Sequence, residues 1–305
     1  MPLKKPLLIC VVGPTGIGKT SLAIKLAEAF STEIISADSR QFYKEMTIGT
    51  AVPSPEELRK VPHHFIQNKS IFEDYSVGDF ERESLSLLQE LFKKKSILVM
   101  VGGSGLYIDA VVKGLDIFPE VPSEIREDLI ETLKENGIEQ LQAELKKVDP
   151  HYFEKVDIHN PHRLVRALEI HRATGKPYSA FLNKETSKRD FHTIFIGLDA
   201  EREIIYSRIN QRVDQMISEG LVEEAKALFQ HKSKNALQTV GYRELFEYFE
   251  GNHFLEEAIS EIKKNTRRFA KRQNTWFKKN EAIFWFDFQT DPTAIIDFIK
   301  KKNAL

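Results

Sequence analysis

A chain of 305 residues with 41% apolar content has the length for one large domain or two modest ones and enough apolar side chain for a packed core. Its 44 basic residues nearly cancel its 45 acidic ones, which excludes a global attraction to nucleic acid or anionic membrane, so any such affinity has to come from local clustering. The lone Cys10 excludes a disulfide framework or cysteine zinc cluster and fits a reducing compartment, and no apolar run reaches bilayer length; a cytoplasmic protein without membrane attachment is expected.

Leu7 to Val12 is a continuous apolar run and predicts a first strand. It enters Gly13-Pro14-Thr15-Gly16-Ile17-Gly18-Lys19-Thr20, after which Leu22, Ala23, Leu26, Ala27 and Phe30 recur at helical spacing. Further short apolar runs at 33–37, 96–101, 193–198 and 282–288, with helical patterns between them, predict a parallel sheet buried on both faces. Between Lys113 and Asp190 the strand signals stop and Pro119, Pro122, Pro150 and Pro161 punctuate helical patterns. The expected fold class is α/β, a P-loop NTPase-like parallel sheet flanked by helices, built from 1–114 and 191–305, with a helical insertion domain over 115–190. Residues 115–150 carry ten acids against four bases, which disfavours contact with a phosphate backbone there, whereas 162–172 is more basic. Long helices are predicted over 201–219 and 256–279, and a closing one over 291–302.

The pattern G-x-x-x-x-G-K-[ST] between a strand and a helix predicts a polyphosphate site at 13–20. Glycines let backbone N–H groups turn around phosphate oxygens, Lys19 adds a mobile charge, and the Thr20 hydroxyl suits a Mg²⁺ that bridges phosphates. Alone, the loop favours ATP. Asp38, at the carboxyl end of the second strand, reads as a base or Mg²⁺ ligand, or else as a turn or capping aspartate. Ser104, inside Val101-Gly102-Gly103-Ser104-Gly105, reads as a substrate contact or a helix cap. Arg208 and Arg212, one helical turn apart, suit a pyrophosphate, or else surface ion pairs with Glu203 or Asp214. From Lys263 to Lys279 eight basic residues stand without an acid. Ile262, Phe269 and Trp276 recur every seven positions there, predicting a core face and a basic face that is either solvated or docked on a polyanion.

Taken together, GPTGIGKT, SADSRQFYKEMTIGTA, PHHF, YSVGDF, VGGSGLY, NPHRLVRALEIHRATGKPYS, TVGYREL and TRRFAKRQNTWF resemble the isopentenyl-tRNA transferase (tRNA dimethylallyltransferase) family of the bacterial type, in order from about residue 8 to 279. The resemblance implies transfer of a dimethylallyl group from its diphosphate to the exocyclic amine of the adenosine 3′ of a tRNA anticodon. It implies tRNA and dimethylallyl diphosphate as partners, Mg²⁺ as cofactor, and no obligate protein partner. Asp38 then matches the base, Ser104 stands near the reacting adenosine, and Arg212 matches a pyrophosphate-contacting arginine, with Arg208 beside it. The same resemblance assigns tRNA contacts to Asp38, Ser39, Arg40 and Gln41 and to His162, Arg163, Leu164, Val165 and Arg166, with the insertion clamping the anticodon stem; Arg126, and Arg268 and Arg272 on the basic helix, are further candidate tRNA contacts. Ser104 stands where many relatives have Thr, and Gly16-Ile17 where many have Ala-Ser; both changes keep the needed hydroxyl or backbone donors. A small-molecule kinase and a nucleotide-gated RNA-binding protein are the rival readings.

Overall fold

The structure, a computed structural model, describes residues 5–182 and 188–303. Six strands form one parallel sheet: β1 (Leu7–Val12), β2 (Ile34–Ser36), β3 (His63–His64), β4 (Ile97–Val101), β5 (His192–Asp199) and β6 (Ile283–Asp287), in spatial order β3-β2-β4-β1-β5-β6. Five of them are the apolar runs read from the sequence. The two-residue β3 has no apolar signal and is a strand only because His63 and His64 pair with Ile34 and Ile35 at the sheet edge.

The continuous apolar character of β1 follows from its central place, where successive side chains point to opposite faces and both faces are covered. Leu7, Ile9 and Val11 pack with α1 (Lys19–Ala29) through Leu22 and Leu26. Leu8, Cys10 and Val12 pack on the other side with Phe80 and Leu88 of α3 (Val77–Phe92) and Ile108 of α4 (Gly105–Lys113). Burial pushes the Cys10 thiol well above its ordinary pKa, as suits a small core residue. The short α2 (Pro55–Lys60) starts on a capping box in which Ser54 and Glu57 satisfy each other's backbone N–H groups.

The chain divides into two compact units, one of residues 1–112 with 189–305 and one of 113–188. In the larger unit α9 (Arg202–Ser218), α10 (Leu221–Leu228), α11 (Tyr242–Phe249) and α12 (Leu255–Phe277) enclose a cluster around Val213, Leu221, Tyr242 and Ile262, and α13 (Pro292–Asn303) closes the sheet beside α1. No helix among the described residues is long and apolar enough to cross a membrane.

The smaller unit contains α5 (Ser123–Asn136), α6 (Ile138–Val148), α7 (Pro150–Phe153) and α8 (Pro161–Thr174) around Leu129, Leu141, Leu145, Leu164 and Leu168. Asn160 caps α8 ahead of Pro161, and Gly175 ends it in the left-handed region. Glu169 of α8 is buried and accepts hydrogen bonds from both Arg126 and Arg166. Burial of that carboxylate is tolerated because two guanidiniums meet it while reaching out to solvent.

Candidate active site

Three loops, after β1, β2 and β4, converge at the carboxyl edge of the sheet in the larger unit, the edge where open α/β sheets bind ligands. After β1, the loop 13–18 turns through Gly16 and Gly18 at φ +79° and +109°, conformations that strain any residue with a Cβ. The Lys19 ammonium folds back to donate to Pro14 O at 2.7 Å. Its pKa is lowered to about 8, because removal from solvent outweighs the attraction of Asp38, and Arg212 lowers it further. Arg208 of α9 braces the loop: its Nε donates to Gly16 O at 2.8 Å and its guanidinium lies 5.1 Å from the Phe288 ring centroid.

Asp38 follows β2 through Ala37. Its Oδ1 accepts the Arg40 N–H at 3.1 Å, an Asx turn that orients the carboxylate, and Oδ2 has no hydrogen-bond partner among the described residues. The Ser104 hydroxyl, on the loop after β4, accepts Ser39 N–H and donates to Ser39 Oγ, both at 3.1 Å, tying the β2 and β4 loops together. Burial pushes Arg212 below its ordinary pKa, while the charge of Asp38 and then of Glu57 opposes that shift. The alternative of a surface pair with Asp214 is overturned, since Asp214 binds Lys263 at 2.6 Å.

Helix α12 supplies a part that the sequence reading did not single out. Gln273, buried, accepts Thr15 N–H at 2.8 Å and donates to Gly103 O at 3.0 Å, joining the phosphate loop to the glycine loop after β4. Gly103 and Gly105 permit this approach: a Cβ on either would lie 2.2 Å from Gln273 Nε2 or 2.3 Å from Trp276 Cδ1. The only sequence signal for Gln273 is an amide on what reads as a core-facing helical position.

Several expectations are corrected. Thr15 lends its N–H to Gln273, so the backbone cradle is reduced to later residues of the loop, and Ile17 is buried and offers only its backbone. Gln41 has spent its amide on the carbonyls of Thr50 and Ala51. Arg40 donates to the carbonyls of Asn235 and Ala236, which pins the turn before α11. Leu164 and Val165 lie in the helical core at 0% and 3% exposure, so of the run 162–166 only His162, Arg163 and Arg166 present side chains to a partner. Arg126 is exposed but engaged with Glu169. Phe269 and Trp276, expected in the core with Ile262, are 38% and 44% exposed. The face they share with Ile262 runs past the end of the packed cluster and opens onto a cavity.

Two cavities meet at this site. One, of about 660 Å³, is bordered by Gly16, Gly18, Lys19, Thr20 and Arg208. The other, of about 470 Å³, is bordered by Ser104, Tyr107, Phe269, Arg272 and Trp276. Asp38, Arg212, Thr15, Thr50, Ala51 and Met216 border both. The first is lined for an anion; the second offers aromatic faces and hydroxyls to a flat polar ring, with the Arg272 guanidinium 5.7 Å from the Phe269 centroid. The arrangement suits a group transfer between an anionic donor and an aromatic acceptor, with a carboxylate and a guanidinium at the junction.

The sequence profile of the IPP transferase family matches residues 41–280. A tRNA dimethylallyltransferase of Flavobacterium psychrophilum is 58% identical over 301 residues, 97% of this chain and 98% of that one. Among solved structures, a tRNA isopentenylpyrophosphate transferase from Bacillus halodurans is 38% identical with a TM-score of 0.74, covering 98% of this chain and 97% of the other. A eukaryotic dimethylallyltransferase acting on tRNA superposes with a TM-score of 0.78 at 26% identity, covering 98% of this chain and 77% of the other.

Proposed function

The chain belongs to the IPP transferase family, and from that premise we propose that it transfers a dimethylallyl group from dimethylallyl diphosphate to the exocyclic N6 amine of the adenosine 3′-adjacent to the anticodon in tRNA, releasing diphosphate. The observation that carries this reading is the pair of cavities that share Asp38 and Arg212, one ending on the phosphate loop and the other walled by aromatic rings.

Adenine N6 is a weak nucleophile because its lone pair is delocalised into the ring. Attack on the allylic carbon therefore needs its proton removed as the N–C bond forms, and Asp38, held by its Asx turn, accepts it. The C–O bond to diphosphate breaks in the same step, and negative charge grows on the bridging oxygen. Lys19, Arg212 and the backbone N–H groups at the start of α1 border the cavity where that charge develops and are placed to meet it. Asp38 and Arg212 thus serve the acceptor and the leaving group from one junction.

Thr20 borders the same cavity as Lys19, so its hydroxyl, with diphosphate oxygens and waters, would hold a Mg²⁺ in the way that ion favours. The ion would add positive charge to the leaving group. The target base has to leave its stack to reach Asp38, at a cost of a few kcal/mol that is smaller in a loop than in a duplex. We assign the docking of the RNA to Ser39 and Ser104 at the cavity, to Arg268 and Arg272 on the exposed face of α12, and to His162, Arg163 and Arg166 in the smaller unit.

The test is to offer purified protein an unmodified tRNA with either labelled dimethylallyl diphosphate or γ-labelled ATP. Label is expected in the tRNA from the allylic donor. Label moving only from ATP would overturn the reading in favour of a kinase, and no transfer from either would favour a binding protein.

A further inference from the structure

Residues 47–51 are clamped from several directions. The half-buried Glu224 carboxylate accepts the backbone N–H groups of Thr47, Ile48 and Gly49 at 3.0, 2.8 and 2.9 Å, and the Tyr242 hydroxyl donates to it at 2.6 Å. From the other side the Gln41 amide donates to the carbonyls of Thr50 and Ala51 at 3.2 and 2.9 Å. The Thr50 hydroxyl donates back to Met46 O at 2.7 Å. Gly49 lies flat against the buried Tyr242 ring, where a Cβ would come within 2.6 Å of ring carbons.

Ala51 at the end of this segment has φ +50°, a left-handed backbone that a residue with a side chain keeps only when its surroundings impose it. Such strain persists where the fold needs one shape, and the shape in question is a wall. Thr50 and Ala51 border both cavities in company with Asp38 and Arg212, and Met216 is the other apolar residue at that junction. On the prenyl-transfer reading the reacting carbon of an allylic donor lies where the cavities meet, and Ala51 and Met216 are the apolar side chains at that place.

We propose that Glu224 is a positioning residue that sets the length of the prenyl donor, by holding residues 47–51 as the end wall of the alkyl pocket. The inference rests on the prenyl-transfer reading above. One carboxylate is suited to the task because both of its oxygens are acceptors, and three successive N–H groups converge on them. A glutamine would turn an N–H₂ group toward those donors and release part of the loop.

The experiment is a competition. Wild-type, Glu224→Gln and Ala51→Gly proteins receive an unmodified tRNA with equal concentrations of dimethylallyl diphosphate and its ten-carbon homologue geranyl diphosphate, and the products are counted by mass spectrometry. The ratio of five- to ten-carbon product does not depend on how much protein is folded, because both donors compete for the same molecules. Glu224→Gln is expected to lower that ratio by about tenfold or more, and to raise KM for dimethylallyl diphosphate more than it lowers kcat. Ala51→Gly, which relieves the left-handed strain and removes the methyl from the wall, is expected to lower the ratio as well. If Glu224→Gln does not fold, Tyr242→Phe loses only the hydroxyl on the carboxylate and carries the same comparison. Ratios within about threefold of wild type in the folded variants would overturn the inference while leaving the function intact. A wild-type protein that transfers neither donor would overturn the functional reading, and the wall with it.

Discussion

Asp38 is oriented before any substrate arrives, since the Arg40 N–H holds Oδ1 and the residue borders both cavities. Asp38→Ala is expected to leave tRNA binding nearly intact and to lower kcat by the roughly 10²- to 10⁴-fold typical of a lost general base. Single-turnover kinetics with labelled donor measure this, and near-wild-type turnover would remove Asp38 from the role. Lys19 gives a pH prediction whose sign follows from its lowered pKa. In the free protein its ammonium is protonated below about pH 8 and loses its proton above, so kcat/KM for the diphosphate donor should be flat below pH 8 and fall above it. A bound diphosphate raises the pKa again, so kcat should stay level to higher pH. Lys19→Arg should abolish the alkaline limb; a limb that survives in that variant belongs to another group. At this scale the sequence was informative where chemistry demands a residue type, as at Lys19, Thr20 and Asp38. It was silent where a side chain acts on the backbone, because an amide such as Gln273 or a carboxylate such as Glu224 has no spacing that marks its partner.

Helix α12 was legible as an element and misread as a surface. The seven-residue recurrence of Ile262, Phe269 and Trp276 reports a shared side of the helix but not what that side meets, and here the packed cluster gives way to open space beyond Ile262. The neighbouring stripe carries Ala270, Gln273 and Phe277 into the protein. Gln273→Leu keeps the shape but orphans Thr15 N–H and Gly103 O. It should cost about 1–3 kcal/mol for each buried group left unpaired, and lower kcat/KM for the donor by loosening the phosphate loop. Urea unfolding and steady-state kinetics test both parts, and unchanged values in both would mean that the bridge does not hold the loop. On the exposed face, Arg268→Ala should weaken tRNA binding and flatten its salt dependence by roughly 0.7 to 0.9 per lost phosphate contact. An unaltered slope, measured from 50 to 200 mM salt, would return that arginine to a solvated role.

At the scale of the molecule, the polypeptide leaves the larger unit and re-enters it at nearly one place: Arg189 donates to the carbonyls of Ala110 and Val111, both at 2.8 Å. A variant in which a short Gly-Ser linker replaces 113–188 should therefore retain the sheet and bind dimethylallyl diphosphate. Its tRNA affinity should fall by about tenfold or more with the loss of His162, Arg163 and Arg166. Filter binding and calorimetry separate these outcomes, and full tRNA affinity in the excised protein would confine recognition to the larger unit. The sequence by itself determined the parallel sheet, the phosphate loop and the family, because buried strands and glycine cradles impose local patterns that survive in one dimension. Only the tertiary structure decided that two cavities meet at Asp38 and Arg212, that Phe269 and Trp276 face one of them, and that residues 47–51 are held as a wall. Those facts depend on which helix packs beside which loop, a matter of long-range contacts that no local spacing records.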